Sequence, residues 1–412
     1  MKSYKNKITN LILIGATIAS TFSCGKKKQN NVEKVVQVNQ KCNTLDLDQS
    51  PKMNEFKMST IFSSVKVIPL QITDNSMIGN ITGLQVIDDK IIILDKIIAN
   101  SMFVFDMGGN FLFRVGRKGQ GPGEYSEISD FTIDYDKKLI FLLDYYRQII
   151  NVYRLKDGYF LYSINIFDNN TESYNIQYVD GLCYLDMFYR KNRNNNKKYM
   201  LRSVNIKTGR TIELYMDADK YNKGYNNIGY AGNRVFFTRN KEPIYMQSFM
   251  DTLMVLKNKG PEAYIVLNSN KLVNEKDMKE AIQSKENSYV NSFFFTKNKF
   301  HTLENFIESD DFILIKFYYG NRLQFLYFDK KGKRSTIHNI LFDDVLFKNF
   351  DVKTNRIMAN FLYNDYRGVY AYIPSEHIPY LIDAFKKKEL NISQSDYKIF
   401  SRINEESNPI VL

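Results

Sequence analysis

Between residues 81 and 166 one pattern is written twice. A polar turn leads into residues 91–95 (Ile-Ile-Ile-Leu-Asp), then 102–106 (Met-Phe-Val-Phe-Asp), then Gly109 and a short apolar run at 111–113. The second copy passes through 139–144 (Leu-Ile-Phe-Leu-Leu-Asp), 149–153 (Ile-Ile-Asn-Val-Tyr), Gly158 and 159–161. Asp95 and Asp144 lie 49 residues apart, and so do Gly109 and Gly158. Short β runs between turns, repeated at that period, are the mark of a propeller blade, a unit that buries its faces only against neighbouring copies. Aromatics make up 14% of the chain, all Tyr and Phe, and flat rings pack well on a pleated sheet.

The rest of the chain continues the rhythm less regularly. Residues 55–71 read as strand, turn and strand, with Ile61-Phe62 in the first run and 65–70 in the second, where Pro69 is tolerated at a strand end. A third blade fits residues 176–214 and a fourth 226–267. Residues 272–290 break the pattern; 275–282 are rich in helix formers behind Asn274, a good N-cap. Strands resume at 312–317, 323–329, 356–359 and 368–373, and 377–387 has the apolar spacing of an amphipathic helix. The expected fold is an all-β, six-bladed β-propeller with a short helical insert. A propeller must close, because an open edge strand invites aggregation. The strands around 56–70 are placed to complete the last blade.

The first residues have a different character. Lys2, Lys5 and Lys7 precede an apolar run at 11–19, too short to span a bilayer as a helix, in the anatomy of a secretory signal. Thr21-Phe22-Ser23-Cys24-Gly25 follows and resembles the lipobox of bacterial lipoproteins, which makes Cys24 the lipidated first residue of the mature chain. The expected organisation is therefore a lipoprotein signal at 1–23, a flexible tether at 24–54, the propeller at 55–390 and a C-terminal tail at 391–412. Some Bacteroidetes lipoproteins displayed on the cell surface carry an acidic run just after the lipidated Cys; residues 26–28 are basic instead, which by that resemblance implies the periplasmic side of the outer membrane, with the cell surface as the other address. Removing the signal lowers the formal charge from +12 to about +9. An exported, lipidated chain is a poor candidate for nucleic-acid binding, so its basic clusters read as solvated faces or as weak attraction to anionic envelope polymers. Beyond Cys24 only Cys42 and Cys183 remain, in neither CxxC nor metal-ligand spacing, and their pairing is left open.

Residues 116–125 (Gly-Arg-Lys-Gly-Gln-Gly-Pro-Gly-Glu-Tyr), set between two blades, resemble the glycine-rich GPGE-aromatic signature of a large Bacteroidetes family. Residues 67–70 with Ile78-Gly79 are similar to that family's opening strand, and 249–253 to its mid-chain Asp-Thr-Leu strand. The family consists of six-bladed propeller lipoproteins akin to NHL-repeat propellers. The resemblance implies fold and location but carries no catalytic residue.

The Gly119–Gly123 loop lacks the Gly-Lys-Ser/Thr and helix of a phosphate cradle, and reads as a tight inter-blade turn. Beside it, Arg114, Arg117 and Glu124 are the candidate binding residues, with an inter-blade ion pair as the plainer alternative. Asp95 and Asp144 recur at the repeat period, as residues that accept backbone N–H groups of a turn would; channel metal ligands are the rival reading. His301, His338 and His377 come at 37 and 39 residue intervals, one per late blade, where three imidazoles could surround a channel zinc. No nucleophile elbow and no HExxH is present. The expectation is a membrane-anchored propeller, without cofactor, that binds an envelope protein, peptide or glycan without catalysis. The alternative is a metal-dependent propeller hydrolase or lyase.

Overall fold

The computed structural model describes residues 43–168, 172–187, 197–225, 234–239, 242–284, 290–349, 360–365 and 367–412. The lipobox, Cys42 and the 26–28 basic run lie outside the described residues.

Six four-stranded antiparallel blades surround a common axis; in blades I–III the first strand in chain order is innermost, and Phe236–Arg239, Phe300–Glu308 and Asn360–Asp365 hold that place in the other three. Blade I comprises Gly83–Ile87, Lys90–Asp95, Ser101–Asp106 and Phe111–Val115; blade II Ile128–Asp134, Leu139–Asp144, Ile149–Arg154 and Phe160–Asn165. Blade III comprises Ile176–Val179, Leu182–Asp186, Tyr199–Asn205 and Thr211–Asp217. Blade IV is Phe236–Arg239, Glu242–Tyr245, Thr252–Lys257 and Gly260–Asn268; blade V is Phe300–Glu308, Phe312–Tyr319, Arg322–Asp329 and Arg334–Phe342. Blade VI takes Asn360–Asp365 and Gly368–Ile373 as inner strands, Ile410–Val411 as its third and Ile68–Pro69 as its fourth. The two ends of the chain thus meet in one sheet.

The core is divided rather than central. One buried apolar cluster fills each of the six blade-to-blade interfaces: VI with I, I with II, and so on around to V with VI. The two middle strands of blades I and II are buried along almost their whole length, which explains their unbroken Ile, Leu and Phe runs. Gly109, Gly158 and Gly209 turn the third strand into the fourth with φ of 82°, 69° and 68°. A Cβ at Gly209 would stand 1.9 Å from the Asn165 carbonyl oxygen, so the position needs glycine both for φ and for space.

Three sequence expectations change. Residues 43–54 are not tether: Asn43–Asp46 runs parallel to the outer strand of blade IV, and Lys52–Lys57 parallel to that of blade V. Leu45, Leu47 and Phe56 are buried there, which repays the ordering of the segment. Ile61 and Phe62 are not a strand; a 3₁₀ turn at Met58–Thr60 begins a strap to blade VI. The expected tail contributes the helix Gln394–Phe400 and the third strand of blade VI.

The helical expectations hold. Glu275–Gln283 starts at a reciprocal capping box between Asn274 and Asp277. Ile378–Lys386 buries Ile378, Leu381 and Ala384 on one face. Among the described residues no helix is long and apolar enough to cross a membrane.

Candidate functional site

The repeat aspartates are structural, and the geometry says how. Asp95 is fully buried; Oδ2 accepts the N–H of Gly79 and Asn80 at 2.8 and 3.0 Å, and Oδ1 those of Ile97 and Ile98 at 3.2 and 2.9 Å. Asp144 accepts Ser126 N–H at 2.8 Å and Arg147 N–H at 3.2 Å. Asp186, at the same place in blade III, accepts Tyr174 and Asn175 N–H at 2.8 and 2.7 Å. Each carboxylate staples the second strand's exit turn or the loop entering the blade, leaving it poorly suited to ligate a metal.

Arg117, Glu124 and Arg114 do not form a pocket. Arg117 Nε meets Glu124 Oε1 at 2.6 Å, with the arginine side chain largely in solvent. The Gly121 N–H and Arg117 together hold the Glu124 carboxyl below its usual range. The Glu124 carbonyl accepts Arg147 Nη1 and Asn151 Nδ2, and Tyr153 Oη donates to Gly123 O at 2.9 Å, so the loop is sewn onto blade II. Arg114 lies on the outer strand of blade I and donates to Ser101 Oγ at 2.5 Å. Arg117 and Glu124 thus pair within one loop, and Arg114 bonds within its own blade.

The histidines do not converge. His301 is buried; its ring contacts Thr302 Oγ1 at 2.9 Å and Gly320 O at 2.8 Å, and burial among Phe249, Phe294 and Tyr318 lowers its pKa to about 4. His338 bridges Thr336 and the Glu55 carbonyl, tying down the added edge strand. His377 precedes the Ile378–Lys386 helix. Among the described residues no three His, Cys, Asp or Glu side chains share a point where a metal could sit. Cys183 is a free, fully buried thiol whose pKa burial drives far upward.

Two places do collect functional groups. The first is a cleft of about 630 Å³ between blades V and VI. The strap at 58–66 crosses from the edge of one blade to the other, held by Ser59, whose N–H and hydroxyl both donate to Asp344 at 2.8 and 2.6 Å. Phe62 of the strap lines the cleft with Phe312, Tyr327 and Tyr370, and polar groups come from Glu308, Asp311, Asn364 and Arg367. Arg367 is bound to Asp365 and to the Asp88 carbonyl. Apolar walls with a few convergent polar groups are the usual make-up of a ligand cleft.

The second place is the axis, where inner strands exchange side chains. Asp130 Oδ2 accepts Ile176 N–H at 2.9 Å, linking blades II and III. Asn305 Nδ2 donates to Phe361 O, linking V and VI; Tyr363 Oη donates to Val86 O at 3.1 Å, linking VI and I. Tyr135 Oη lies 3.2 Å from Tyr363 Oη and 3.3 Å from Gln85 Oε1. Arg234, just before the inner strand of blade IV, donates Nε–H to Phe236 O at 2.8 Å and lies over the Phe237 ring. Burial lowers its pKa to about 10, against the pull of Asp130, Tyr135 and Tyr363; burial raises Asp130 to about 6, against Lys96 and Arg234. Asp130 and Tyr135, Arg234 and Tyr363 come from blades II, IV and VI in turn, so no local motif marks them. The only sequence signal is a charge or amide inside or beside an apolar inner strand.

The family described as a domain of unknown function, DUF4934, matches residues 42–412. Among solved structures, the chain resembles a "Putative exported protein" of Bacteroides fragilis at a TM-score of 0.67 and 16% identity, covering 87% of this chain and 97% of that one. A member of the DUF4221 family from Bacteroides vulgatus aligns at a TM-score of 0.46 and 10% identity, over 84% of this chain and 95% of that one. No curated protein matches. At these identities the likeness extends to the fold.

Proposed function

We propose that this chain, which belongs to the DUF4934 family, is an envelope lipoprotein, anchored through Cys24, whose propeller captures a protein, peptide or glycan without chemically altering it. The observation that carries the binding reading is the cleft between blades V and VI. It is large enough for a few residues of an extended chain, its aromatic floor offers flat contact area, and its polar groups come from two blades and the strap. Support for the address comes from the signal-like N-terminus, and from the exported description of the Bacteroides fragilis relative. The basic residues at 26–28 favour the periplasmic face of the outer membrane. The metal-dependent hydrolase alternative draws on Asp95, Asp144 and the histidines, which are spent on backbone groups or set apart.

The test is photocrosslinking in the native envelope. Full-length protein carrying benzoylphenylalanine at Phe62 should yield a discrete adduct, whereas the same probe at exposed Tyr159, on the far side of the propeller, should not. Equal labelling from both positions, or none from Phe62, would reject the cleft as the capture site. Cys24→Ala should move the protein from the membrane to the soluble fraction; retention in the membrane would refute the anchor.

A further inference from the structure

The third strand of blade VI stops short. Ile410–Val411 is two residues long, whereas the third strands of the other five blades run from six to eight. It pairs with Tyr372 and Ile373 of the second strand, and the main chains of Leu412 and Ala371 exchange two further hydrogen bonds at 2.9 and 3.1 Å. On its other side the second strand is paired along its length, Gly368, Val369 and Tyr370 facing Asp365, Asn364 and Tyr363. Among the described residues no strand pairs with 368–370 on the outward side. Main-chain groups alternate in direction along a strand. The N–H and C=O of Ala371 both point outward to Leu412, so those of Val369, two residues earlier, point the same way, into the cleft.

The missing part of the strand leaves a lane whose far wall is also chain. Ile68–Pro69, the fourth strand, pairs with Ile410–Val411, and residues 63–67 lead directly into it without a backbone hydrogen bond among the described residues. Residues 63–66 and 368–371 line the same cleft. Second and fourth strands of a sheet stand two strand spacings apart, about 10 Å, which is room for one extended chain. Val369 packs with Phe312 and Phe361 at the interface of blades V and VI. Residues directly opposite in a sheet share a face. A guest residue opposite Val369 therefore directs its side chain toward Phe62, Phe312 and Tyr327, whose neighbouring rings lie 6.3 and 6.2 Å apart. The molecule already completes two blades by strand addition, with Asn43–Asp46 on IV and Lys52–Lys57 on V.

We propose that the cleft takes an extended peptide segment of a partner protein as the missing part of the third strand of blade VI. The Val369 N–H and C=O bind its main chain, and a β-branched or aromatic side chain opposite Val369 anchors it on the aromatic wall. This rests on the cleft reading above and narrows its ligand to a strand-forming peptide, because a glycan offers no main-chain ladder.

A random heptapeptide display library, panned on the full chain in detergent, supplies the probe. Selected peptides should carry β-branched or aromatic residues at alternate positions. Replacing a central peptide N–H by an ester oxygen, which leaves every side chain in place, should weaken binding by about tenfold. Val369→Pro removes the outward N–H and spares the pairing with Asn360–Asp365, since proline is tolerated on a strand edge. It should weaken the same peptides by about tenfold or more and abolish the photocrosslink from position 62. Melting curves establish that the variant is folded, and if it is not, the ester series decides. No selected peptide, binding indifferent to every ester replacement, or undiminished binding by folded Val369→Pro would each overturn the proposal. An adduct from position 62 that persists in folded Val369→Pro removes the strand pairing and leaves the cleft as the capture site, whereas no adduct from that position in the otherwise unaltered chain removes the cleft itself.

Discussion

Blades I–III and blades IV–VI use the same four-strand unit but complete it by different means. In the first three, the four strands follow one another along the chain, a buried aspartate ends each second strand, and the outer strands stay half exposed, with Leu112, Leu161, Tyr162 and Ile212 reaching solvent. In the last three, strands are borrowed from afar. Asn43–Asp46 and Lys52–Lys57 cover the edges of IV and V, and blade VI takes half its strands from the two ends of the chain. The difference follows from the outer strands. Gly260–Asn268 is long and buries Ala263, Ile265 and Leu267. An edge of that kind needs a cover, whereas the short outer strands of I and II are tolerable as they stand. A local code builds half the ring and long-range pairing builds the other half.

The sharpest way to break this contrast is to delete residues 43–57. That removes the burial of Leu45, Leu47 and Phe56 and should cost about 6 kcal/mol as an upper estimate. Denaturation should show a lower midpoint, and hydrogen exchange should rise in blades IV and V while I–III stay protected. Uniform loss of protection would mean that the halves are not distinct.

Acid should also act on the second half first. His301 stays neutral in the fold down to about pH 4, while an exposed histidine protonates near 6.5. The folded state therefore binds fewer protons between those values. Its stabilisation is complete above pH 6.5 and is lost as pH falls toward 4, by about 3 kcal/mol. Asp130, with its pKa raised to about 6, has the opposite sign, since the fold there binds more protons between pH 4 and 6. His301→Asn should remove the first effect and leave the second. Urea melts of both proteins at pH 7 and 4.5 measure it.

Within the first half, Asp144→Ala should cost about 2 kcal/mol, because Ser126 and Arg147 N–H groups lose their buried acceptor. Asp95→Ala, with four such donors, should cost more. If both are neutral by thermal melting, the staple account of the repeat is wrong.

The smallest effect is expected in the GPGE loop. Arg117→Ala breaks an exposed pair and should change stability by less than about 1 kcal/mol. It should also leave crosslinking from Phe62 intact. Loss of capture in this variant would transfer the binding site from the cleft to the loop.

What could be read without coordinates was local and periodic. The 49-residue spacing, the glycines with positive φ, the aspartates at strand ends and the Asn274 cap each act within a few residues of themselves, so their meaning survives in a linear string. Arg117 and Glu124 were candidates for a polar pocket or an inter-blade ion pair, and they pair instead within their own loop. Ile410–Val411 is only two residues long, and residues 43–57 lack a partner nearby in sequence, so neither looked like part of the propeller.

Sequence alone thus determined the repeating unit, because strand alternation, turn chemistry and capping are set by neighbouring residues. Tertiary structure decided how the ring closes, where the cleft opens, and which side chains meet on the axis. Arg234, Asp130 and Tyr363 are more than 100 residues apart and belong to alternate blades. Only the closure of all six sheets brings them together, since a side chain's charge environment is a property of the assembled fold and not of the strand that carries it.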